Sequence, residues 1–286
     1  MLTFDEQLII LVKSALDEDV GDGDHSTLCC IPAAANGKAV LKIKQEGIIA
    51  GVGLAEKIFH IVQPTTKLEK YIQDGDIVKT GDVAFELEAR VHTILQTERL
   101  VLNCMQRMSG IATLTNRYAK KLRGYKTKIL DTRKTTPNFR LLEKEAVRIG
   151  GGANHRMGLY DMIMLKDNHI DYCGGIERAI ELAHEYVLSN RPALQIEIET
   201  RTLEDVKRVV ENGKGKVHRI MLDNFVPAKI VEALNIIAGG FETEASGGIN
   251  LDNLIEYADT GVDYVSIGAL IHQAQSLDLS LKAVID

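Results

Sequence analysis

Arg133, Lys134, Arg140, Lys144, Arg148, His155, Arg156, Lys166 and His169 crowd into the stretch from Asp131 to His169. Lysine and arginine outnumber aspartate and glutamate there, although the whole chain carries a formal net charge of −6. Thr132, Thr135, Thr136, the triplet Gly150-Gly151-Gly152 and Gly158 are interleaved with them. Guanidinium forks, ammonium groups, hydroxyls and free backbone N–H groups are what phosphates and carboxylates need. The pattern points to a pocket for a small polyanion. Two acids further on, Glu199 and Asp223, add a second kind of chemistry. Carboxylates beside a basic cluster can hold Mg2+ or steady a developing cation. The plainer alternative is that each only pairs with Lys134 or Lys166. The turns at Ser246-Gly247-Gly248 and at Gly268 offer backbone N–H groups suited to a phosphate, or are simply tight turns.

The elements that carry these residues are legible from periodicity. Short β-type runs occur at 126–130, 162–165, 194–199, 218–222, 242–245 and 264–267. Helical runs lie between them near 139–149, 176–189, 203–212, 227–237 and 251–258. Such alternation predicts an α/β barrel, closed or nearly closed. A doubly wound open sheet is the alternative, but no GxGxxG follows a first strand. In a barrel, chemistry collects at the C-terminal ends of the strands. The six runs end on Asp131-Thr132-Arg133-Lys134, Lys166, Glu199, Asp223, Ser246-Gly247-Gly248 and Gly268. Glu197 shares a strand face with Glu199 by the period of two, so it is expected deeper in the barrel. His169, close behind Lys166, reads as a core or supporting histidine.

Upstream, apolar spacing predicts a helix over 4–18, followed by a solvated Gly21-Asp22-Gly23-Asp24 loop. Strand signals follow over 37–53, a helix over 54–62, and β-structure with turns at Asp74-Gly75 and Thr80-Gly81. A long helix over 94–122 has Leu95, Leu102, Met105, Met108 and Leu114 as its core stripe. Taken alone, Arg99 and Arg107 on that helix read as solvated. The expected domains are an N-terminal α/β sandwich over 1–122 and an open α/β barrel over 123–274. The tail 275–286 is a candidate to pack on the first. With 45% hydrophobic and 26% charged residues, a soluble globular protein is expected. The acidic balance argues against nucleic-acid or membrane-surface binding. No apolar run approaches a membrane span, and four cysteines without zinc-ligand spacing fit a reduced, cytoplasmic protein.

The motifs DTRKTTPNFR, GGGANHRMGL, LKDNH, IEIET, MLDN, EASGGI and GVDYVSIGAL, with ERLVLNCMQRMSGIAT before them, resemble the quinolinate phosphoribosyltransferase family. That family is also called nicotinate-nucleotide pyrophosphorylase (carboxylating). The resemblance runs from the EDVGDGDHST loop to about His272, in the family's order. It implies transfer of phosphoribosyl from 5-phosphoribosyl-1-pyrophosphate to quinolinate with loss of CO2, in de novo NAD synthesis. It implies an N-terminal α/β domain, an open barrel, and dimers or dimer-based hexamers with shared sites. It also implies Mg2+ brought in with the donor, near Glu199 and Asp223. Lys134, Lys166, Glu199 and Asp223 are implied as the catalytic set. Thr132, Arg133, His155 and Arg156 join them in binding substrate, with Ser246, Gly247, Gly248 and Gly268 at the 5-phosphate. Arg99 is implied as a contribution from a neighbouring subunit. The chain departs from the family at Asn138-Phe139, where Gly-Leu is common, and at Ile271-His272-Gln273, where Thr-His-Ser is common. A Schiff-base aldolase using Lys166 is the rival enzyme reading.

Overall fold

The structure is a computed structural model and describes residues 2–284. In chain order its elements begin α1 (Phe4–Val20), α2 (His25–Cys30), β1 (Asn36–Ile43), β2 (Gly47–Ile48) and α3 (Val52–Val62). Next come β3 (Lys67–Lys70), β4 (Ile77–Val78), β5 (Val83–Arg90), α4 (Val91–Lys121), β6 (Lys128–Leu130) and α5 (Arg140–Ile149). Then follow β7 (Ile163–Leu165), α6 (Asp167–Cys173), α7 (Ile176–Asn190), β8 (Ile196–Thr200), α8 (Leu203–Gly213) and β9 (Arg219–Asp223). The last are α9 (Pro227–Ile237), β10 (Glu242–Ser246), α10 (Leu254–Asp259), β11 (Tyr264–Ser266), α11 (Ala269–His272) and β12 (Leu279–Val284). They form two compact units. One holds residues 2–116, Thr135–Gly151 and 270–284; the other holds Arg117–Lys134 and Gly152–Ala269.

The first unit is built on an antiparallel sheet in the order β12-β1-β5-β3. Leu41, Ile43, Phe85 and Leu87 on its strands are fully buried, as are Ile58 and Phe59 of α3 and Met105 and Ile111 of α4. Local chemistry fixes the helix starts. Thr3 and Glu6 form a capping box at α1, and the Asp74 carboxylate accepts the N–H groups of Gly51, Val52 and Gly53 at α3. The Asp22–Asp24 loop is more than a solvated connection. Asp24 caps α2, accepting from the Thr27 N–H at 3.1 Å, and this short helix is absent from the periodicity reading.

Arg107 also departs from expectation. Its guanidinium reaches the buried Glu143 carboxylate at 2.9 Å and donates to the carbonyls of Ala274 and Ile271. Glu143 in turn accepts from the N–H and hydroxyl of Thr136. The partners of Arg107 lie far away in the chain, so nothing in the local sequence distinguishes it from a solvated arginine. At Asn138 the backbone adopts φ 61°, the left-handed region. The family commonly has glycine there, and asparagine is the residue that tolerates this conformation next best.

The second unit carries six parallel strands in the order β6-β11-β10-β9-β8-β7. Ala153 extends the β6 edge through a parallel bridge to Leu130. The edge strands β6 and β7 do not pair, so the barrel is open, as expected. Helices α7, α8 and α9 pack side by side along the sheet. The sheet face bearing Ile129, Ile196, Ile198, Ile220, Leu222, Ala245 and Val265 is apolar and buried, as a helix-covered parallel sheet requires.

Candidate active site

The strand register decides which side chains share the other face. Met164 pairs with Glu197, Glu197 with Arg219, and Arg219 with Glu242. Glu199 pairs with Met221, Met221 with Glu244, Glu244 with Tyr264, and Tyr264 with Lys128. Alternation then puts Glu197 and Glu199, Arg219 and Asp223, Glu242, Glu244 and Ser246, and Tyr264 and Ser266 on one face. This face is charged where barrels of this class are usually filled by branched aliphatic side chains.

It reads in tiers from the strand starts to the strand ends. The upper tier holds the residues expected to do chemistry. Lys166, the residue after β7, reaches the Glu199 carboxylate at 2.8 Å; Glu199 is buried and Lys166 is 45% exposed at its side chain. The Ser246 hydroxyl donates to Asp223, whose other oxygen accepts from the Asn224 amide at 2.6 Å. The simple pairing alternative therefore holds for Glu199 and Lys166, while Asp223 is engaged by Ser246 and Asn224. Arg133 and Lys134 follow β6 as exposed side chains, and the Thr132 hydroxyl accepts the Lys134 N–H at 3.0 Å.

The Ser246-Gly247-Gly248 turn is shaped by sterics. Gly247 has φ 96°, and a Cβ on it would meet Asn224 Oδ1 at 2.2 Å. The turn does not run straight into a helix. Asn250 accepts from the Asp252 N–H and makes an Asx-type turn, so α10 begins only at Leu254. This local side-chain bonding displaces the helix start from the predicted 251. Gly268 stands between β11 and α11. His169 is exposed, and its Nδ1 accepts the Lys166 N–H at 3.0 Å at the start of α6. It braces a turn instead of filling a core, and α6 itself is missing from the periodicity reading.

The middle tier is buried. Asp131, at the end of β6 and fully buried, accepts the His155 N–H at 2.8 Å. The ring Nε2 of His155 lies 3.0 Å from Glu197 and 3.3 Å from Glu244, both fully buried. Arg219 reaches Glu244 at 3.0 Å, Glu242 at 2.9 Å and Glu197 at 3.7 Å, and Tyr264 stacks on it at 4.2 Å. Burial pulls the His155 pKa down, but the two glutamates overcome this and push it up to about 9. Burial and the neighbouring Glu244 push the Glu197 carboxyl up. Burial acts the same way on Glu244, yet His155 and Arg219 outweigh it and hold that carboxyl down.

A doubly protonated ring conflicts with one contact. The Arg156 N–H points at His155 Nδ1 at 2.7 Å, and only an unprotonated nitrogen can accept it. We assign the Nε2–H tautomer from that contact. Arg156, also buried, donates to the Met162 carbonyl at 3.2 Å. Burial and the nearby Arg133 cation lower its pKa. Two guanidinium groups held close enough to repel favour an anion beside them.

The second unit thus brings together Thr132, Arg133, Lys134, His155, Arg156, Lys166, Glu199, Asp223, Ser246, Gly247, Gly248 and Gly268 at or beside strand ends. Arg99 belongs to the first unit and is exposed on α4. Glu197 proves to be the deeper partner expected. Arg219 and Glu244 escaped the sequence reading; the signal for them was charge on the same strand face as a strand-end residue, Arg219 four residues before Asp223 and Glu244 two before Ser246. A cavity of about 860 Å3 opens at the strand starts instead, among Lys126, Lys128, His218, Glu242, Asp263 and Tyr264. None of the strand-end residues lines it.

Comparison with known proteins gives a consistent picture. A family described as the quinolinate phosphoribosyl transferase C-terminal domain matches residues 111–282, and its N-terminal counterpart matches 24–109. The quinolinate phosphoribosyltransferase (decarboxylating) 1b of Nicotiana tabacum is 45% identical over 95% of this chain and 81% of its own length. The probable nicotinate-nucleotide pyrophosphorylase (carboxylating) of Bacillus subtilis is 39% identical over 98% of this chain and 94% of its own. Among solved structures, NadC from Streptococcus pyogenes is similar with TM-score 0.90 and 37% identity, covering 100% of this chain and 99% of that one.

Proposed function

Because this chain belongs to the quinolinate phosphoribosyltransferase family, we propose that its strand-end tier is the site of that reaction. The enzyme transfers phosphoribosyl from 5-phosphoribosyl-1-pyrophosphate to quinolinate and yields nicotinate mononucleotide, CO2 and pyrophosphate, a step of NAD biosynthesis. What supports the assignment of the site is one observation: charged or phosphate-suited groups stand at the ends of all six parallel strands, on the non-helical face. An aldolase reading of Lys166 is weaker, because that lysine is paired with the Glu199 carboxylate at 2.8 Å instead of lying in an apolar pocket.

In this reading Arg133, Arg156 and Lys166 receive the two quinolinate carboxylates, His155 stands behind Arg156 with both ring nitrogens engaged within the chain, and Lys134 faces the donor's phosphates. Ser246, Gly247, Gly248 and Gly268 take the 5-phosphate. The pyridine nitrogen attacks C1 of the ribose as pyrophosphate leaves. Glu199 and Asp223 stabilise the positive charge that develops on the ribose. The ring nitrogen of the adduct is then cationic, and it accepts the electron pair left when the adjacent carboxylate departs as CO2. Every step proceeds without a covalent enzyme intermediate.

Mg2+ fits this donor set. Glu199 and Asp223 are hard oxygen ligands at the ends of neighbouring strands, and they would hold it together with donor phosphate oxygens. When bound, it neutralises charge on the departing pyrophosphate. We further place the enzyme in the cytoplasm as a dimer or dimer-based hexamer, with Arg99 completing a neighbouring site; its free cysteines suit a reducing compartment. Incubating the purified chain with quinolinate, the donor and Mg2+ should release nicotinate mononucleotide and pyrophosphate, whereas nicotinate should not react. Turnover of nicotinate with none of quinolinate would overturn the reading.

A further inference from the structure

Glu197, Arg219 and Glu244 of the buried tier beneath the strand ends are unused by the reaction as described. Burying two glutamates completely is costly unless each is paired and hydrogen-bonded. Here each faces a cation or a donor from another element: Arg219 from β9, and His155 from the loop beside β6. Glu197 and Glu244 both converge on one ring nitrogen, within 3.3 Å. The other ring nitrogen receives the Arg156 N–H, and Asp131 receives the His155 N–H. The His155-Arg156 backbone step is thereby bonded from below and from the side. Arg219 is itself restrained, by Glu242 at one side and by the Tyr264 ring at 4.2 Å. A metal ion is a poor alternative occupant for the His155, Glu197 and Glu244 group, since the Arg219 guanidinium already lies 3.0 Å from Glu244.

We propose that Glu197, Arg219 and Glu244 are positioning residues: an ion-paired brace that sets His155, and through it Arg156, in the register at which Arg156 meets the dicarboxylate substrate. The brace makes no contact with the substrate. It acts on one side of the site only, so its loss weakens quinolinate recognition and leaves the phosphoribosyl donor's subsite intact. This inference rests on the function proposed above.

Steady-state kinetics of Glu244→Gln with each substrate varied in turn provides the test, alongside its thermal unfolding. The substitution keeps the shape and an acceptor oxygen but removes the charge that balances Arg219. KM for quinolinate should rise roughly tenfold or more, as expected for an angstrom-scale misplacement of a binding group, with KM for the donor unchanged. Glu244→Asp should recover part of the loss. A folded Glu244→Gln enzyme with wild-type KM for quinolinate, or with equal rises for both substrates, would overturn the brace. Should Glu244→Gln fail to fold, Arg219→Lys decides by the same two criteria, because it retains the charge and loses only the fork. Wild-type protein without turnover on quinolinate would instead overturn the underlying reading of the reaction.

Discussion

Lys166 illustrates how much one side chain is asked to do. It is held by Glu199, yet nearly half of its side chain is exposed, so it can meet an anion without leaving its partner. In the proposed site, replacing it by alanine removes a contact to developing or substrate charge, worth about 2–4 kcal/mol of transition-state stabilisation. Lys166→Ala is therefore expected to lose roughly 100-fold or more in kcat/KM while its circular dichroism and Tm stay near wild type. Wild-type turnover by that variant would remove Lys166 from the site. Asn138 makes a second, independent case at this scale. With φ 61°, it occupies a conformation that asparagine tolerates and β-branched residues do not. Asn138→Gly should be nearly neutral in stability, and Asn138→Val should destabilise by about 1–3 kcal/mol. Chemical denaturation of the two variants separates them; equal stability would mean the backbone relaxes freely there. The sequence alone showed that residue 138 departs from the family, but not that its dihedral angle absorbs the change.

At the scale of elements, the sequence was most informative where side chains repeat and least where they pair at long range. The strand ends at Lys166, Glu199, Asp223 and Ser246 could be read because period-two runs stop there. α9 was read at its observed limits, Pro227–Ile237, because proline opens it and its apolar spacing holds throughout. Short helices such as α2, α6 and α11 are too brief to show a periodicity. Arg107 was misread for another reason. Nothing local to α4 announces that Glu143 of α5 waits for it, fully buried. The same holds for Arg219 and Glu244, whose meeting depends on sheet register. The Arg107–Glu143 pair makes a prediction about how α4 and α5 are fastened. Removing one partner leaves a buried charge uncompensated, which costs about 3–5 kcal/mol. Arg107→Ala should therefore lower stability by that order in denaturant titrations. The double variant Arg107→Met/Glu143→Leu should recover much of the loss, since an apolar pair leaves no orphaned charge. If the single and double variants are equally unstable, the carbonyl contacts of Arg107 matter more than its ion pair.

For the whole molecule, the net charge of −6 and the basic strand-end tier belong together. The substrates bring two carboxylates and several phosphate charges, so a local excess of cations serves where a global one would attract nucleic acid. Arg99 bears on whether that excess comes from one chain or two. It is exposed on α4, with no role in the fold that its exposure would suggest, and the family resemblance assigns it to a neighbour's site. If sites are shared, an Arg99→Ala chain and a Lys166→Ala chain carry different defects that end up in different sites of a mixed dimer. One site then lacks both residues, and the other keeps both. Each homodimer should be nearly inactive, because each of its sites lacks one cation. Statistical mixing gives half heterodimers, each with one intact site, so about a quarter of wild-type activity should return. Purifying the heterodimer through two different tags raises the expected recovery to about half. A verified heterodimer with no more activity than its parents would mean that Arg99 acts within its own chain or not at all. The basic tier would then be complete in a single subunit.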